Sequence, residues 1–364
     1  MSEPPHHGGN LRLAFQKYGL RSQGFVDFSA NLNPLGPPVR VLEVIKNNID
    51  KVYSYPDPEC TQLKKRISSQ LGAAEGDVIV TNGANELIYL ICAHFSGGKA
   101  LLIEPGFSEY LDAARAFCLD VAFYFLREDR NFVMDSDDFL NSVRPESADV
   151  IFICNPNNPT GMMISHDEMV KVVRGCEQSG AFLVVDESFV ELSDFPDDSV
   201  IGLVKKFKKL LIIRSMTKSY GLAGIRLGYG ISNSDLICNL LRKQPTWSVN
   251  SLAQLAGEAA LTDSSYLARS RELIALERKL LFEGLMRPDI KTYPSNANFI
   301  LLRLLNNKIS PWNFEDYLGR RGIIVRNCSN FMGLGDGFFR IAIRTKEENL
   351  RLLAALNGFQ HDAF

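Results

Sequence analysis

Lys218 is the side chain of this sequence with the most chemical promise. It lies in Ser215-Met216-Thr217-Lys218, directly after the apolar run KLLIIR at 209–214, and its neighbours are hydroxyl residues rather than other charges. A buried amine can serve as nucleophile or base once its proton is removed. Moving a lysine from a pKa of about 10.4 to about 7 takes roughly 4–5 kcal/mol of differential interaction, which burial and a nearby cation such as Arg226 can supply. Arg226 follows eight residues later in the glycine-rich segment Gly221-Leu222-Ala223-Gly224-Ile225-Arg226-Leu227-Gly228-Tyr229. Three further constellations precede Lys218. Thr81-Asn82-Gly83-Ala84-Asn85-Glu86 opens a helical pattern, and free N–H groups with a partial positive charge at a helix start suit a phosphate. Asn155-Pro156-Asn157-Asn158-Pro159-Thr160-Gly161 follows the run DVIFIC, and Asp186-Glu187-Ser188-Phe189 ends the run AFLVV. A carboxylate closing an apolar strand needs a partner, either a helix start to cap or a buried cation to hold. Each segment alone has an ordinary reading as a capped helix, a tight turn, a surface lysine or a loop leading into a strand.

Such residues need strand ends to converge. Continuous apolar runs at 99–104, 121–126, 149–154, 181–186 and 209–214 read as strands buried on both faces, with helical stretches at 86–95, 109–118 and 168–178 between them. This alternation predicts an α/β fold with a mainly parallel sheet, whose carboxyl ends are where ligands bind. A long helical pattern at 251–286 leads into strand-like runs at 298–304, 322–325 and 338–343. The expected organisation is an N-terminal arm at 1–49, a large domain at 50–250 and a smaller α/β C-terminal domain at 251–364. The arm is expected to pack on the small domain or across a subunit interface.

The 364 residues carry 40 Lys and Arg against 42 Asp and Glu, a net charge of -2, so there is no general pull toward nucleic acid or an anionic membrane. An anionic substrate must be caught by a local site. The seven cysteines are odd in number and lack C-x-x-C spacing, which fits a reducing cytoplasm better than a zinc site or disulfide framework. The first residues have no signal-like pattern, and no apolar run approaches the ~20 residues of a membrane helix.

NPNNPTG, then Asp186, then Ser-x-x-Lys, then Arg226 among glycines, in that order, resembles the fold-type I pyridoxal-phosphate enzymes of the class I/II aminotransferase superfamily. The resemblance spans most of the chain. It implies that Lys218 forms the Schiff base with pyridoxal 5'-phosphate, that Asp186 pairs with the pyridine N–H, and that Asn158 hydrogen-bonds the ring 3-oxygen. Gly83, Ala84, Ser215 and Arg226 would hold the cofactor phosphate, with Asn85 nearby. Phe107, in Pro105-Gly106-Phe107, matches the ring-stacking aromatic. Tyr55, in Tyr55-Pro56-Asp57, matches the residue that reaches a phosphate across a homodimer interface. Arg340 matches the arginine that takes the substrate carboxylate, a task suited to a bidentate fork.

Within the superfamily, His7-Gly8-Gly9-Asn10, Asp27-Phe28-Ser29-Ala30-Asn31-Leu32-Asn33-Pro34-Leu35-Gly36, Glu104-Pro105-Gly106-Phe107-Ser108-Glu109-Tyr110 and Trp247-Ser248-Val249-Asn250 resemble the L-threonine-O-3-phosphate decarboxylases of cobalamin biosynthesis. So does Phe189, which stands where many aminotransferases have a tyrosine. The related histidinol-phosphate aminotransferases share Gly322-Ile323-Ile324-Val325-Arg326. The resemblance implies a small phosphorylated amino-acid substrate. Arg326 and Arg344 read as positive charge for it, with His7, Gly8, Gly9, Asn10, Asn33 and Asn158 as further contacts. For Arg344 a surface salt bridge is the competing reading. Serine phosphate is an alternative substrate, since one methylene changes binding by only ~1–3 kcal/mol. A non-catalytic binding module that keeps the fold is the competing class. The complete set Asn158, Asp186, Lys218 and Arg226 argues against it, as does the lack of a basic DNA-binding stretch.

Overall fold

A computed structural model describes residues 7–19, 24–142, 148–305 and 310–362; the first six residues, read above for a signal pattern, lie outside this set. Thirteen strands are present among the described residues: β1 (Val26–Asp27), β2 (Val78–Thr81), β3 (Lys99–Glu104), β4 (Asp120–Phe125), β5 (Val150–Cys154), β6 (Phe182–Asp186), β7 (Leu210–Ser215), β8 (Gly228–Ile231), β9 (Ile290–Thr292), β10 (Phe299–Leu304), β11 (Ile323–Ile324), β12 (Arg326–Asn327) and β13 (Phe338–Ala342). Seven form one sheet in the order β2-β8-β7-β6-β5-β3-β4. β3 to β7 pair in parallel, with β4 parallel to β3 at the edge; β8 runs antiparallel to both its neighbours. The expected mainly parallel α/β sheet is therefore present.

The apolar runs are continuous because both faces are covered. Ile151, Ile153, Leu183, Val185, Leu210 and Ile212 pack on one face, while Val150, Phe152, Phe182, Val184, Leu211 and Ile213 pack on the other. Alternate side chains of one strand thus serve two cores. β4 differs: it is an edge strand and only partly buried. β8 holds two glycines in four residues, and glycines dilute the apolar signal of a strand.

The pattern at 251–286 forms two helices, Ser251–Ala260 and Tyr266–Gly284. Asp263 interrupts it by accepting hydrogen bonds from the Ser265 N–H and hydroxyl, a local turn that competes with helix. Ala253 and Ala256 of the first helix pack in the core of the large sheet. A smaller antiparallel sheet has the order β12-β13-β10-β9, and Ile274, Leu281, Ile300, Leu302, Phe339 and Ile341 share its core. The N-terminal segment joins this unit: β1 pairs in parallel with β11, and fully buried Phe28 accepts the Ala342 N–H through its carbonyl at 2.8 Å. Among the described residues no helix is long and apolar enough to cross a membrane.

Candidate active site

Registers in the large sheet bring the chemistry to one edge. Cys154 pairs with Asp186, Asp186 with Ile213, and Ser215 with Gly228. The loops leaving β2, β3, β5, β6 and β7 then start side by side, and they carry Gly83, Phe107, Asn158, Ser188 and Lys218. A cavity of about 220 Å³ opens over these ends. Its wall includes Ala84, Asn85, Phe107, Asn158, Asp186, Ser215, Lys218, Arg226, Arg326 and Arg340, with His7 and Gly8 from the arm.

Lys218 sits on a one-turn helix, Met216–Ser219, that starts where β7 ends. Burial, then the charges of Arg340 and Arg226, lower its pKa to about 8, against weaker opposition from Asp186 and Asp27. Asp186 is buried. Its Oδ2 accepts the Tyr110 hydroxyl at 2.7 Å, and its Oδ1 accepts the Ser188 N–H at 2.9 Å. Burial nonetheless raises its pKa above the usual carboxylate range. Such a carboxylate lacks a cationic or N–H partner strong enough to offset its desolvation, and a pyridinium nitrogen would supply one.

Arg340 is buried. It donates from Nη1 to Asn158 Oδ1 and from Nη2 to the Ser29 carbonyl at 2.8 Å, while Nε has no hydrogen-bond partner. The bond from Arg340 holds the Asn158 amide so that its N–H₂ is left to donate elsewhere. Arg326 is also buried; it donates to Asn330 Oδ1 at 2.8 Å and lies over the Phe331 ring at 5.1 Å.

Gly83 caps the helix Ala84–His94 with φ of +78°, and a Cβ there would lie 2.4 Å from Arg226 Nη2. Glycine is needed both for the left-handed backbone and for the guanidinium beside it. The helix start, Arg226, Ser215 and Thr217 together form an N–H, hydroxyl and guanidinium cradle for an anion. This donor set fits the phosphate of pyridoxal phosphate, and Asp186 below and Phe107 alongside fit its ring.

The arm seats at the mouth of the cavity. Gly8 lies so close to Ser29 that a Cβ would fall 2.1 Å from the Ser29 carbonyl oxygen, and Gly9 N–H donates to Ser29 Oγ at 2.8 Å. Four other expected contacts lie elsewhere in this chain. Asn10 caps the helix Leu11–Tyr18 by accepting the Leu13 N–H at 3.0 Å, and it faces a neighbouring cavity. Asn33 Nδ2 donates to the Ser219 carbonyl and Ser270 Oγ, so it buttresses the turn that carries Lys218. Arg344 pairs with Glu348 at 2.9 Å, one helical turn away in sequence. Tyr55 is 79% exposed and stacks on Trp247 with centroids 4.4 Å apart, outside the cavity.

Sequence reasoning missed Asn31, Tyr110, Ser188 and Thr217, all of which line the cavity. Asn31 stands two residues from Asn33, yet it is Asn31 whose buried Oδ1 has no partner at the site. Tyr110 lies in the EPGFSEY segment that carries Phe107, so the segment itself is the signal that points to it.

The fold and this lysine–carboxylate–arginine site define a class of cofactor-dependent enzymes. Residues 23–356 match aminotransferase class I and II, and the chain belongs to that family, whose cofactor is pyridoxal phosphate. An adenosylcobalamin biosynthesis bifunctional protein of Leptospira interrogans is 36% identical over 97% of this chain, which spans only 41% of that longer protein. A threonine-phosphate decarboxylase of Salmonella typhimurium is 32% identical over 97% of this chain and 96% of its own length. The crystal structure of a histidinol-phosphate aminotransferase from Clostridium acetobutylicum superposes with a TM-score of 0.85 at 35% identity, covering 92% of this chain and 99% of that one. A Sinorhizobium meliloti histidinol-phosphate aminotransferase in complex with pyridoxal-5'-phosphate shares the fold, with a TM-score of 0.85 at 22% identity over 95% of this chain and 92% of that one.

Proposed function

We propose that this enzyme decarboxylates L-threonine O-3-phosphate to (R)-1-amino-2-propanol O-2-phosphate and carbon dioxide, in cobalamin nucleotide-loop biosynthesis in the cytoplasm. The observation that carries this reading is the pair of buried arginines, Arg326 and Arg340, in one cavity with Lys218. Two fixed cations suit a short substrate with two anionic groups, a carboxylate and a phosphate. Threonine-phosphate decarboxylase as a near full-length relative supports the same substrate.

Bound pyridoxal phosphate supplies an aldehyde for the substrate amine and a ring that accepts the electrons of the bond broken at Cα. The protein's part is orientation. Only a bond perpendicular to the ring can deliver its electrons, so the anchoring of carboxylate and phosphate selects Cα–carboxylate or Cα–H. Arg340 would anchor one anionic group and orient Asn158; Arg326, Asn31 and the His7-Gly8 turn would anchor the other. Asp186 would keep the ring nitrogen protonated. Phe107, Phe189 and Phe331 line the cavity and limit water at the reacting carbon. Lys218 Nζ would return a proton to Cα after carbon dioxide leaves.

Serine phosphate, giving ethanolamine phosphate, is the near alternative, since one methyl separates the substrates. Histidinol-phosphate aminotransferase is the second reading, favoured by the 35% identity to the Clostridium enzyme. The test offers cofactor-loaded protein threonine phosphate or serine phosphate with no keto acid and assays carbon dioxide and amino alcohol phosphate. Product establishes a decarboxylase, and the ratio of rates names the substrate. Turnover of histidinol phosphate with 2-oxoglutarate and none of the former establishes the aminotransferase.

A further inference from the structure

Glu109 does not line the cavity, yet it joins two of its walls. It lies in the first turn of the helix Ser108–Ala116, where a carboxylate is favoured by the helix dipole. Its Oε1 lies 2.6 Å from His7 Nε2, and its Oε2 accepts from Asn85 Nδ2 at 2.8 Å. Asn85 belongs to the first turn of the helix whose start forms the anion cradle. His7 opens the N-terminal turn, packs its ring 5.9 Å from that of Phe107, and borders the cavity. The same turn is held at a second point by Ser29, whose hydroxyl accepts the Gly9 N–H and donates to Asp27 Oδ1 at 2.6 Å. The Ser29 carbonyl in turn takes the bond from Arg340.

We infer that Glu109 is a positioning residue that holds His7 over the cavity mouth with one oxygen and the first turn of the phosphate-facing helix with the other. The N-terminal turn then closes over a substrate only where the helix start is in place, which couples arm closure to an assembled site. An exposed histidine–carboxylate pair contributes little by itself. Here the carboxylate side chain is only 13% exposed, and both of its oxygens are engaged by different elements. The inference rests on the proposed substrate class for its effect on KM, but the contact itself is tested without substrate.

The experiment compares cofactor-loaded wild type with Glu109→Gln, His7→Gln and the double variant. Amide hydrogen exchange over residues 7–18 is read without substrate; KM and kcat are read with whichever amino-acid phosphate is turned over. Each single variant is expected to speed exchange about tenfold and raise KM about tenfold, the scale of one charge-assisted hydrogen bond, and in Glu109→Gln kcat should stay within about twofold. The double variant should match Glu109→Gln, because the His7 contact is already lost there, and the visible absorbance of the bound cofactor should stay unchanged. Exchange at the wild-type rate in both singles, or effects that add in the double, would overturn the inference. So would a shifted absorbance with a fall in kcat, which would place Glu109 on the cofactor instead. If no amino-acid phosphate is turned over, the proposed function fails while the exchange data still decide the role of Glu109.

Discussion

Lys218 carries the pH behaviour of the site. Its pKa of about 8 in the folded chain lies below the ordinary 10.5, so the unfolded chain holds more protons between those values. Cofactor-free protein should therefore gain stability as pH rises through that window, and lose the gain below about 8. The same shift sets cofactor loading: the rate of reaction with pyridoxal phosphate should climb below pH about 8 and level above it, measured by the appearance of visible absorbance. Lys218→Ala should lose the absorbance and about 10³-fold or more of turnover, roughly 4 kcal/mol of barrier. Turnover at the wild-type rate in that variant would end the assignment of this site. Phe189 packs edge-on against Phe299 at 5.0 Å and offers no hydroxyl to the cavity. The polar groups near the ring position are instead Asn158, oriented by Arg340, and Asp186, held by Tyr110 and Ser188.

At the scale of elements, two features position the lysine and the anion cradle. The first is the junction of the helix Ala84–His94 with Arg226. Gly83→Ala would push a Cβ into the guanidinium and force alanine into a positive-φ conformation open essentially to glycine alone, costing about 1–3 kcal/mol in the backbone. Cofactor retention in dialysis should weaken about tenfold, more than the unfolding midpoint suffers, because the cost falls on the anion cradle. The second is the charge cluster under the lysine turn. Arg214 on β7 donates to Glu187 at 2.9 Å from Nε, lies 3.3 Å from Glu191, and reaches Ser199 Oγ at 2.8 Å. Ser219, next to Lys218, donates to Glu191. Arg214→Met leaves Glu187 buried without its cation and should cost about 3–5 kcal/mol, read as a lower urea midpoint. Adding Glu187→Leu, which removes the carboxylate left buried without its cation, should recover part of that loss, with Glu191 still lacking Arg214.

At the scale of the whole molecule, one surface is conspicuously apolar. Val39, Leu42, Ile49, Val52, Tyr53, Tyr55 and Trp247 are all exposed, Tyr53 by 96%. A patch of this kind marks an interaction site, and we propose a second copy of this chain as its occupant, which would bring Tyr55 to a neighbouring cofactor phosphate. Tyr53→Asp should shift the protein from dimer to monomer in light scattering and weaken cofactor retention, while the subunit fold persists. A dimer unaffected by this change would place the interface elsewhere. How much of this was legible in the chain depends on range. Lys218, Asp186, Asn158 and Gly83 were readable because each closes or follows an apolar strand or opens a helix, and strand ends in a parallel sheet share one edge; Arg226 was readable from its place among glycines. The periodicity that identifies strands is local, and so is the spacing of the motifs. Which of Asn31 and Asn33 enters the cavity was not readable, because the backbone at 31–33 is irregular and has no period that sets where each side chain points. Arg344 and Arg340 stand four residues apart, yet one pairs with the following helix and the other reaches Asn158, 182 residues away in sequence. Tyr110 and Glu109 acquire their roles only when the helix Ser108–Ala116 is laid against β6 and the N-terminal arm. The sequence by itself determined the strand-and-helix alternation and the residues at the strand ends, since burial on two faces leaves a local apolar pattern. Only the tertiary structure decided which distant polar groups meet, because those contacts join elements whose separation no local pattern records.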